Sequence, residues 1–544
     1  MYKITNKKNI SIAMFFLIMV GAFVLRLYFF LQEGFITTDG YYYMMAGKNL
    51  LETGKYEIFG IPQLIFSPGY PILIGIADIL FNDLLFSARF VSLACGTTGV
   101  YLMYLIGKKM FNERAGLFAS FLAAINYYLI IMSQKTWSES SYIFFMLLTL
   151  YIYIKIVEKY KTYLVFALGL SIGFLYLIRI EGIIFLLLPF IYFFNVKNYN
   201  RFFRSLIVVM FSFFLIAGPY VNFLYQNTGI LSFSNKSDAN IRAGLITNGK
   251  SFGNVSSEDI LLYEKVNSNY NEETNSVEVP EEYKNNSLVG LFIQDPKYFL
   301  NKYFTALKSE FRILIIDYQA SSFIILLFVF LINRKTIMYY LKRNIFLLIF
   351  PLIFLLVFPL YHIESRYMLQ ILVFIILLCS LIITVPLKLN HLKQNKLKDI
   401  AISSSKMIIS MVVFIIIVQF FANLVISTFI QRPDYPIEHR IAGQYLINYK
   451  DYNSKESVIM SRKPFVSFYS DSERFWVTIP YTSVDNVLKF AKSRNVNYII
   501  IDQRYIGIRD NYERLKSLND HSDDVELIFE DNFVKEIKVF KLIK

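Results

Sequence analysis

The feature that most constrains this chain is a succession of eleven apolar stretches, at 10–31, 86–107, 115–132, 140–156, 163–178, 183–195, 203–225, 318–333, 345–361, 367–386 and 407–428. A helix needs about 20 apolar residues to cross the hydrocarbon core of a bilayer. Helices satisfy all their backbone hydrogen bonds within the segment, so they are the natural reading of such stretches. The expected fold class is therefore mostly α, a polytopic membrane protein of about eleven transmembrane helices. Composition agrees: 55% of the residues are hydrophobic and 18% charged, where soluble chains carry about 25% charged residues. The pair at 163–178 and 183–195 is short enough for a re-entrant hairpin, which leaves the topology unchanged. The first stretch is too long for a signal-peptide core and is read as a retained helix.

Charge then orients the chain. With the N-terminus cytoplasmic, the inner loops hold twenty-one Lys and Arg against three acids, Glu113, Glu158 and Asp399. That is the bias expected of cytoplasmic loops. The net charge of +14 is thus a topology signal, and no nucleic-acid partner is inferred from it. Cys95 and Cys379 both lie in apolar stretches, so disulfides play no part in the design.

Three large segments fall on the outer face: a loop at about 32–85, a second at about 226–317 and the tail at 429–544. Residues 1–428 are read as the membrane domain and 429–544 as a small α/β extracytoplasmic domain. In the tail, 437–450 and 483–493 read as helices, the second with a Ser or Thr cap. Strand patterns occupy 457–462, 475–479 and 498–502, and 525–530 with 536–542 reads as a closing hairpin.

Charges within a bilayer cost roughly 2.5–3.5 kcal/mol each at its centre, so those kept at span ends invite explanation. Here they gather on the outer face. They are Arg26 in the outer half of the first span, Asp39 just past its end, Lys135 and Glu139 in the turn 133–140, Arg179 and Glu181 in the next outer turn, and His362, Glu364 and Arg366 in a later one. Asp39 opens an amphipathic stretch, 40–52, that ends at Gly54 and is expected to lie on the outer leaflet. The turn Ser67-Pro68-Gly69-Tyr70-Pro71 leads into a second such segment, 72–80. Structural readings stand beside functional ones. Asp39 is also a good helix cap, Glu139 a turn residue or the partner of Lys135, and Arg179 and Glu181 a self-contained pair. Arg26 can be the buried partner of an acid, His362 a rim residue and Glu364 an exposed one.

Asp39, Tyr42-Tyr43, Ala46, Asn49-Leu50-Leu51 and Gly54, followed by Ser67-Pro68-Gly69-Tyr70-Pro71, resemble the first-loop signature of GT-C glycosyltransferases. The nearest branch is that of the dolichyl-phosphate-mannose–protein mannosyltransferases and the lipid A aminoarabinose transferases. Trp137-Ser138-Glu139, Arg179-Ile180-Glu181-Gly182 and Arg366-Tyr367 fit the same pattern, so the resemblance covers about 20–385. Two positions depart from it: Gly40 stands where many relatives have Glu, and Ser67 where many have Pro. The oligosaccharyltransferase signature Trp-Trp-Asp is absent, since the tryptophans are Trp137 and Trp476. En-bloc glycan transfer to Asn is therefore disfavoured.

The resemblance implies an integral-membrane transferase. It would move a sugar from a polyprenyl-phosphate donor to a hydroxyl of a protein, lipid or glycan acceptor, outside the membrane. It makes Asp39 the candidate general base, with Glu139 sharing or orienting. Arg179, Arg366, His362, Lys135 and Arg26 become candidates for the donor phosphate, and Tyr42, Tyr43, Pro68, Gly69 and Tyr70 for the substrate loop. No cofactor or metal is expected: the sequence has no nucleotide-binding glycine fingerprint and no close His/Asp/Glu spacing that demands an ion. The competing reading is a lipid or glycan transporter, which would be expected to show repeat symmetry and charges near mid-bilayer. A sensor or scaffold acting through its tail would leave the charged outer turns unexplained.

Overall fold

The computed structural model describes residues 2–543 apart from 33, 197, 251–254, 284–287, 318–333, 382–409, most of 411–434, 475 and 519–522. The expected spans at 318–333 and over most of 407–428, and the end of that at 367–386, lie outside the described residues.

The chain begins with α1 (Tyr2–Leu31), α2 (Thr38–Thr53), α3 (Gly69–Phe81), α4 (Leu84–Met110), α5 (Glu113–Ile125), α6 (Tyr127–Met132), α7 (Glu139–Glu158), α8 (Thr162–Ile178), α9 (Leu188–Val196) and α10 (Tyr199–Thr228). Four described helices are long and apolar enough to cross a membrane: α4, α7, α10 and, from Asn9 onward, α1. Shorter apolar helices pack among them, including α3, α8, Phe346–Val357 and Leu369–Ser380. This is a multi-pass membrane protein built mainly of helices.

Two expected spans differ in detail. The stretch at 115–132 is broken at Asn126, whose side chain leaves the helical path and accepts from the backbone N–H of Leu129 to start α6. A polar residue that can cap a new helix ends the old one there. The stretch at 183–195 starts as a 3-10 helix, Ile180–Leu187, before α9 begins. α8 itself stops where Arg179 takes an extended conformation.

Lys108 pairs with Glu113 at 3.2 Å and Lys109 with Glu158 at 3.0 Å. These pairs gather the ends of α4 and α7 and the start of α5 at one end of the bundle. The N-terminus of α7 and the C-terminus of α8 lie at the other, and the first loop packs there. α2 runs from Thr38 to a left-handed stop at Gly54, burying Tyr41, Tyr43, Met44 and Ala46 on one side. A short hairpin, β1 (Glu57–Ile58) with β2 (Ile61–Pro62), leads to α3. α3 starts at Gly69, where a Cβ would meet the backbone carbon of Leu177 at 2.6 Å. Only glycine lets α3 approach α8 that closely.

The second long loop returns over the same end. The hydroxyl of Tyr176 donates to the carbonyl of Phe233 at 2.7 Å. α11 (Ser237–Ile246) then crosses above the turn at Tyr361 and His362. α12 (Ser257–Asn267), capped by Ser256, is followed by β3 (Tyr270–Asn271) and β4 (Ser276–Val277).

The tail holds β5 (Val458–Ser461), β6 (Val477–Thr478), β7 (Val496–Asp502), β8 (Val525–Asp531) and β9 (Ile537–Leu542) in one sheet of order β6-β5-β7-β9-β8. β5 is parallel to β6 and β7, while β9 is antiparallel to β7 and β8. Alternation along β7 splits its side chains: Ile499 and Ile501 join the layer under helix Val484–Ser493, and Tyr498 and Ile500 the layer under helix Ile437–Ile447. This is the period-2 pattern of a sheet covered on both faces. Ser483 caps the first of these helices.

Helix Ile437–Ile447 carries a buried charged group. His439 Nδ1 lies 3.2 Å from Glu438 Oε1 and Nε2 lies 3.7 Å from Asp502 Oδ2. Burial pushes the imidazole toward neutrality, but the adjacent carboxylates of Asp502 and Glu438 outweigh it and hold its pKa above the ordinary histidine range. A group raised in this way contributes stability that is fully present below its unfolded pKa and is lost as pH rises through the folded value. His439→Gln is therefore expected to lower the thermal midpoint most in mildly acidic buffer, the gap closing as pH climbs past the histidine range. Thermal unfolding of the purified chain across that range checks this. A gap independent of pH would mean that the ring matters only by packing on Phe465 and Tyr505, which it meets edge-on.

Candidate active site

The four turns that the sequence reading assigns to the outer face meet at one place. Thr37, not Asp39, is the N-cap of α2: its hydroxyl accepts from Gly40 N at 3.0 Å. That corrects the reading of Asp39 as a cap and leaves its carboxylate free to turn toward the bundle. Gly40 is required here, because a Cβ would sit 2.1 Å from Thr136 Oγ1. Thr37 and Thr136 hydroxyls also meet at 3.1 Å. A larger residue at position 40 would push the start of α2 off the 133–138 turn.

Asp39 Oδ2 lies 2.9 Å from Arg366 Nη1. The guanidinium of Arg366 also reaches Glu364 and comes within 3.7 Å of Glu139 Oε1. Arg179 donates from Nη1 to Glu139 Oε1 at 2.7 Å and from Nη2 to Glu181 Oε1 at 3.0 Å. His362 Nε2 is 2.9 Å from Glu364 Oε1. The result is a chain of alternating charge, Glu181–Arg179–Glu139–Arg366–Asp39, with Glu364 and His362 attached. Aromatic rings wall it: Trp137 lies under Arg366 and Lys135, at 4.7 and 4.3 Å, and Tyr367 under Arg179 at 4.9 Å. Planar guanidinium groups suit such stacking.

Several structural readings are thereby settled. Glu139 pairs with Arg179 and Arg366 rather than with Lys135, and is only 4% exposed. Glu364 is half-buried and paired rather than exposed. Arg26 meets no acid among the described residues and lies apart from the cluster. It is 1% exposed and donates to the carbonyls of Ala22, Ala123 and Ala124 and to Ser133 Oγ, which satisfies the helix end created by the break at Asn126. In the loop expected to hold substrate, Tyr70 is fully buried with its hydroxyl 3.0 Å from both Ala88 O and Ser92 Oγ, and Pro68 and Gly69 are buried too. Tyr43 meets Tyr70 edge-on, while Tyr42 is half-buried and stacks on Phe66 at 5.4 Å. Of that loop, Tyr42 lies nearest open space.

Within the cluster, Asp39 Oδ2 and Glu139 Oε2 are buried without an aligned hydrogen-bond donor among the described residues. Burial pushes the Asp39 carboxyl upward, but the charge of Arg366, helped by Lys236, wins and holds it below the usual carboxylate range. Glu364 is likewise held down against its burial by Arg366 and by its hydrogen bond to His362. Lys135 has no acid partner among the described residues, and burial brings its ammonium down to about 8.

Sequence reasoning missed three contributors. Lys236 stands at the start of α11 with Nζ 4.6 Å from the Phe66 ring, and its charge acts on Asp39, Arg366 and Arg179. Arg89 on α4 clamps the carbonyls of Gln32 and Gln134, tying the end of α1 to the 133–138 turn. The tail closes over the site: Ile36 N donates to Tyr469 Oη at 3.2 Å, and Tyr41 meets Phe468 edge-on. Phe465 and Trp476 belong to the same apolar core as the membrane helices. Among the described residues no group of three or more His, Cys, Asp or Glu is set as a metal would need.

Residues 66–222 match the family model described as dolichyl-phosphate-mannose-protein mannosyltransferase. Among solved structures, the chain resembles ArnT from Cupriavidus metallidurans in the apo state, at 10% identity and a TM-score of 0.56, over 96% of this chain and 97% of that one. It also resembles the Archaeoglobus fulgidus oligosaccharyltransferase in complex with Zn and sulfate, at 14% identity and a TM-score of 0.53, over 90% of this chain and 69% of that one. The same oligosaccharyltransferase tethered to an acceptor peptide aligns with 99% of this chain and 74% of its own, at 13% identity and a TM-score of 0.52. A comparison with curated proteins finds no match. The family model matches the first loop and the helices that follow it, and the chain shares along nearly its whole length the fold of GT-C membrane glycosyltransferases.

Proposed function

We propose that the protein transfers a sugar from a polyprenyl-phosphate donor to an acceptor hydroxyl on the outer face of the membrane, with the N-terminus cytoplasmic and the tail extracytoplasmic. The observation that carries this reading is the ion pair of Asp39 with Arg366 at a point where four separate outer turns converge. The pair puts a candidate base and a candidate phosphate ligand in contact.

In the reaction, the acceptor oxygen bonds to the anomeric carbon and gives its proton to Asp39. The bond from that carbon to the phosphate oxygen breaks, and its electron pair leaves with the lipid phosphate. Positioned proton transfer contributes about 10²–10⁴-fold. The departing phosphate gains charge, and fixed cations aimed at it stabilise the transition state. Arg366 and Arg179 are the cations we assign to it, with Lys236 and Lys135 beside them. A phosphate that draws Arg366 toward itself also relieves Asp39 of the charge that depresses its basicity. The donor would thus ready the base for the acceptor, and donor-first binding follows. Glu139 orients both arginines.

The test is a transfer assay with the purified chain, a panel of radiolabelled polyprenyl-phosphate sugars, and membrane extract as acceptor. Label is expected to leave one donor for the extract. A panel in which no donor binds would sink the reading and favour a transporter.

A further inference from the structure

The acids of the site are all answered from within it: Glu139 and Glu181 by Arg179, and Asp39 and Glu364 by Arg366. Three ammonium groups are left over. Lys135, Lys236 and Lys463 each lie against an aromatic ring, at 4.3, 4.6 and 5.7 Å, and none is ion-paired among the described residues. All three are half-buried, and a cation partly drawn out of water without an anion is costly, so a set of three points to anionic ligands that arrive with the substrates.

Two of the three come from membrane-proximal loops and flank Arg366, where the leaving phosphate is assigned. Lys463 comes from the tail. It lies between β5 and the helix Phe465–Tyr469, the segment that touches the first loop on either side of Asp39 through Tyr469 and Phe468. Its neighbour Arg462 is already engaged, donating to both oxygens of Glu264 on α12 at 2.7 and 2.6 Å. That clamp fixes the loop and leaves Lys463 as its unspent charge. Arg366 reaches Asp39 from the bundle, and Lys463 opens the tail segment that packs on the first loop on either side of Asp39. In a displacement at one carbon, the attacking and leaving oxygens lie on opposite faces, so a cation on the tail side serves the acceptor. We propose that the acceptor carries an anionic group, phosphate or carboxylate, near the hydroxyl that takes the sugar, and that Lys463 holds it. The inference rests on the glycosyl-transfer reading above. Burial, with Arg462 alongside, brings the Lys463 ammonium down to about 8, as befits a cation waiting for its counter-charge.

The experiment uses the full chain, a radiolabelled polyprenyl-phosphate hexose, and membrane extract divided by anion exchange into neutral and anionic pools. Label is expected in the anionic pool. Lys463→Gln should lower labelling about tenfold at limiting anionic pool, the worth of one charge-assisted hydrogen bond, and recover at saturation, with donor binding unchanged. Lys463→Arg should restore most of the loss. Label in the neutral pool, or a Gln variant indistinguishable from wild type, overturns the proposal and leaves the transferase reading standing. A Gln variant that instead loses donor affinity assigns Lys463 to the donor phosphate and also overturns it. If no label enters either pool from any donor, the transferase reading falls, and this inference with it.

Discussion

Replacing Asp39 by asparagine is expected to reduce sugar transfer by about 10²–10⁴-fold while leaving the fold and the donor affinity intact. Asn has the shape of Asp, and the start of α2 is held by Thr37 and not by residue 39. The helix therefore keeps its cap, and the contact of Thr37 with Thr136 survives. What is lost is the oxygen able to take a proton. Asp39 Oδ2 is buried beside Arg366 with no aligned donor, the arrangement of a base whose lone pair is open to an incoming hydroxyl. Arg366 also loses one of its carboxylate partners, so a donor phosphate should bind the variant as well as it binds wild type, or better. Equilibrium donor binding and single-turnover transfer at saturating donor separate the two effects. A variant that transfers within a few-fold of wild type would strip Asp39 of the base role. A variant that no longer binds donor would make Asp39 an organiser of Arg366.

How far all this was legible in the sequence depends on the range of the interaction. α8 was readable because an unbroken apolar run stops at Arg179, and β7 because Ile499, Ile500 and Ile501 flank alternating partners in a strand of the tail. The break at Asn126 was written in the sequence as one polar residue in an apolar stretch, but length alone outweighed it. The choice between Thr37 and Asp39 as cap was not readable, since both are good caps and lie two residues apart. Packing of Gly40 on Thr136 decided it. The convergence of Asp39, Glu139, Arg179 and Arg366 followed from topology, because alternate loops of a multi-pass chain must share a face. Lys236 and Lys463 had no such signal. Each is one lysine in a segment outside the spans, and its place is set by how that segment returns over the bundle.

The second large effect concerns Arg366, which holds two parts of the site at once. Arg366→Gln removes the cation assigned to the leaving phosphate, a loss of about 10²–10³ in rate by analogy with other preorganised charge stabilisers. It also removes the charge that holds the Asp39 carboxyl below its usual range. Asp39 must be ionised to accept a proton, so activity falls as pH drops through its pKa. With Arg366 gone, burial pushes that carboxyl up unopposed except by Lys236, and the acid limb of the kcat/KM profile should move to higher pH. Glu139 keeps Arg179, so the neighbouring half of the charge chain stays paired and the variant should fold. Arg366→Lys divides the two roles. An ammonium restores the charge beside Asp39 and should return the acid limb toward wild type. It lacks the planar fork that spans Asp39, Glu364 and Glu139 and stacks on Trp137, so much of the rate should stay lost. An acid limb that does not move in Arg366→Gln would mean that the titrating group is not Asp39, and the base would have to be sought at Glu139, whose Oε2 is the other buried carboxylate oxygen without a donor in the cluster.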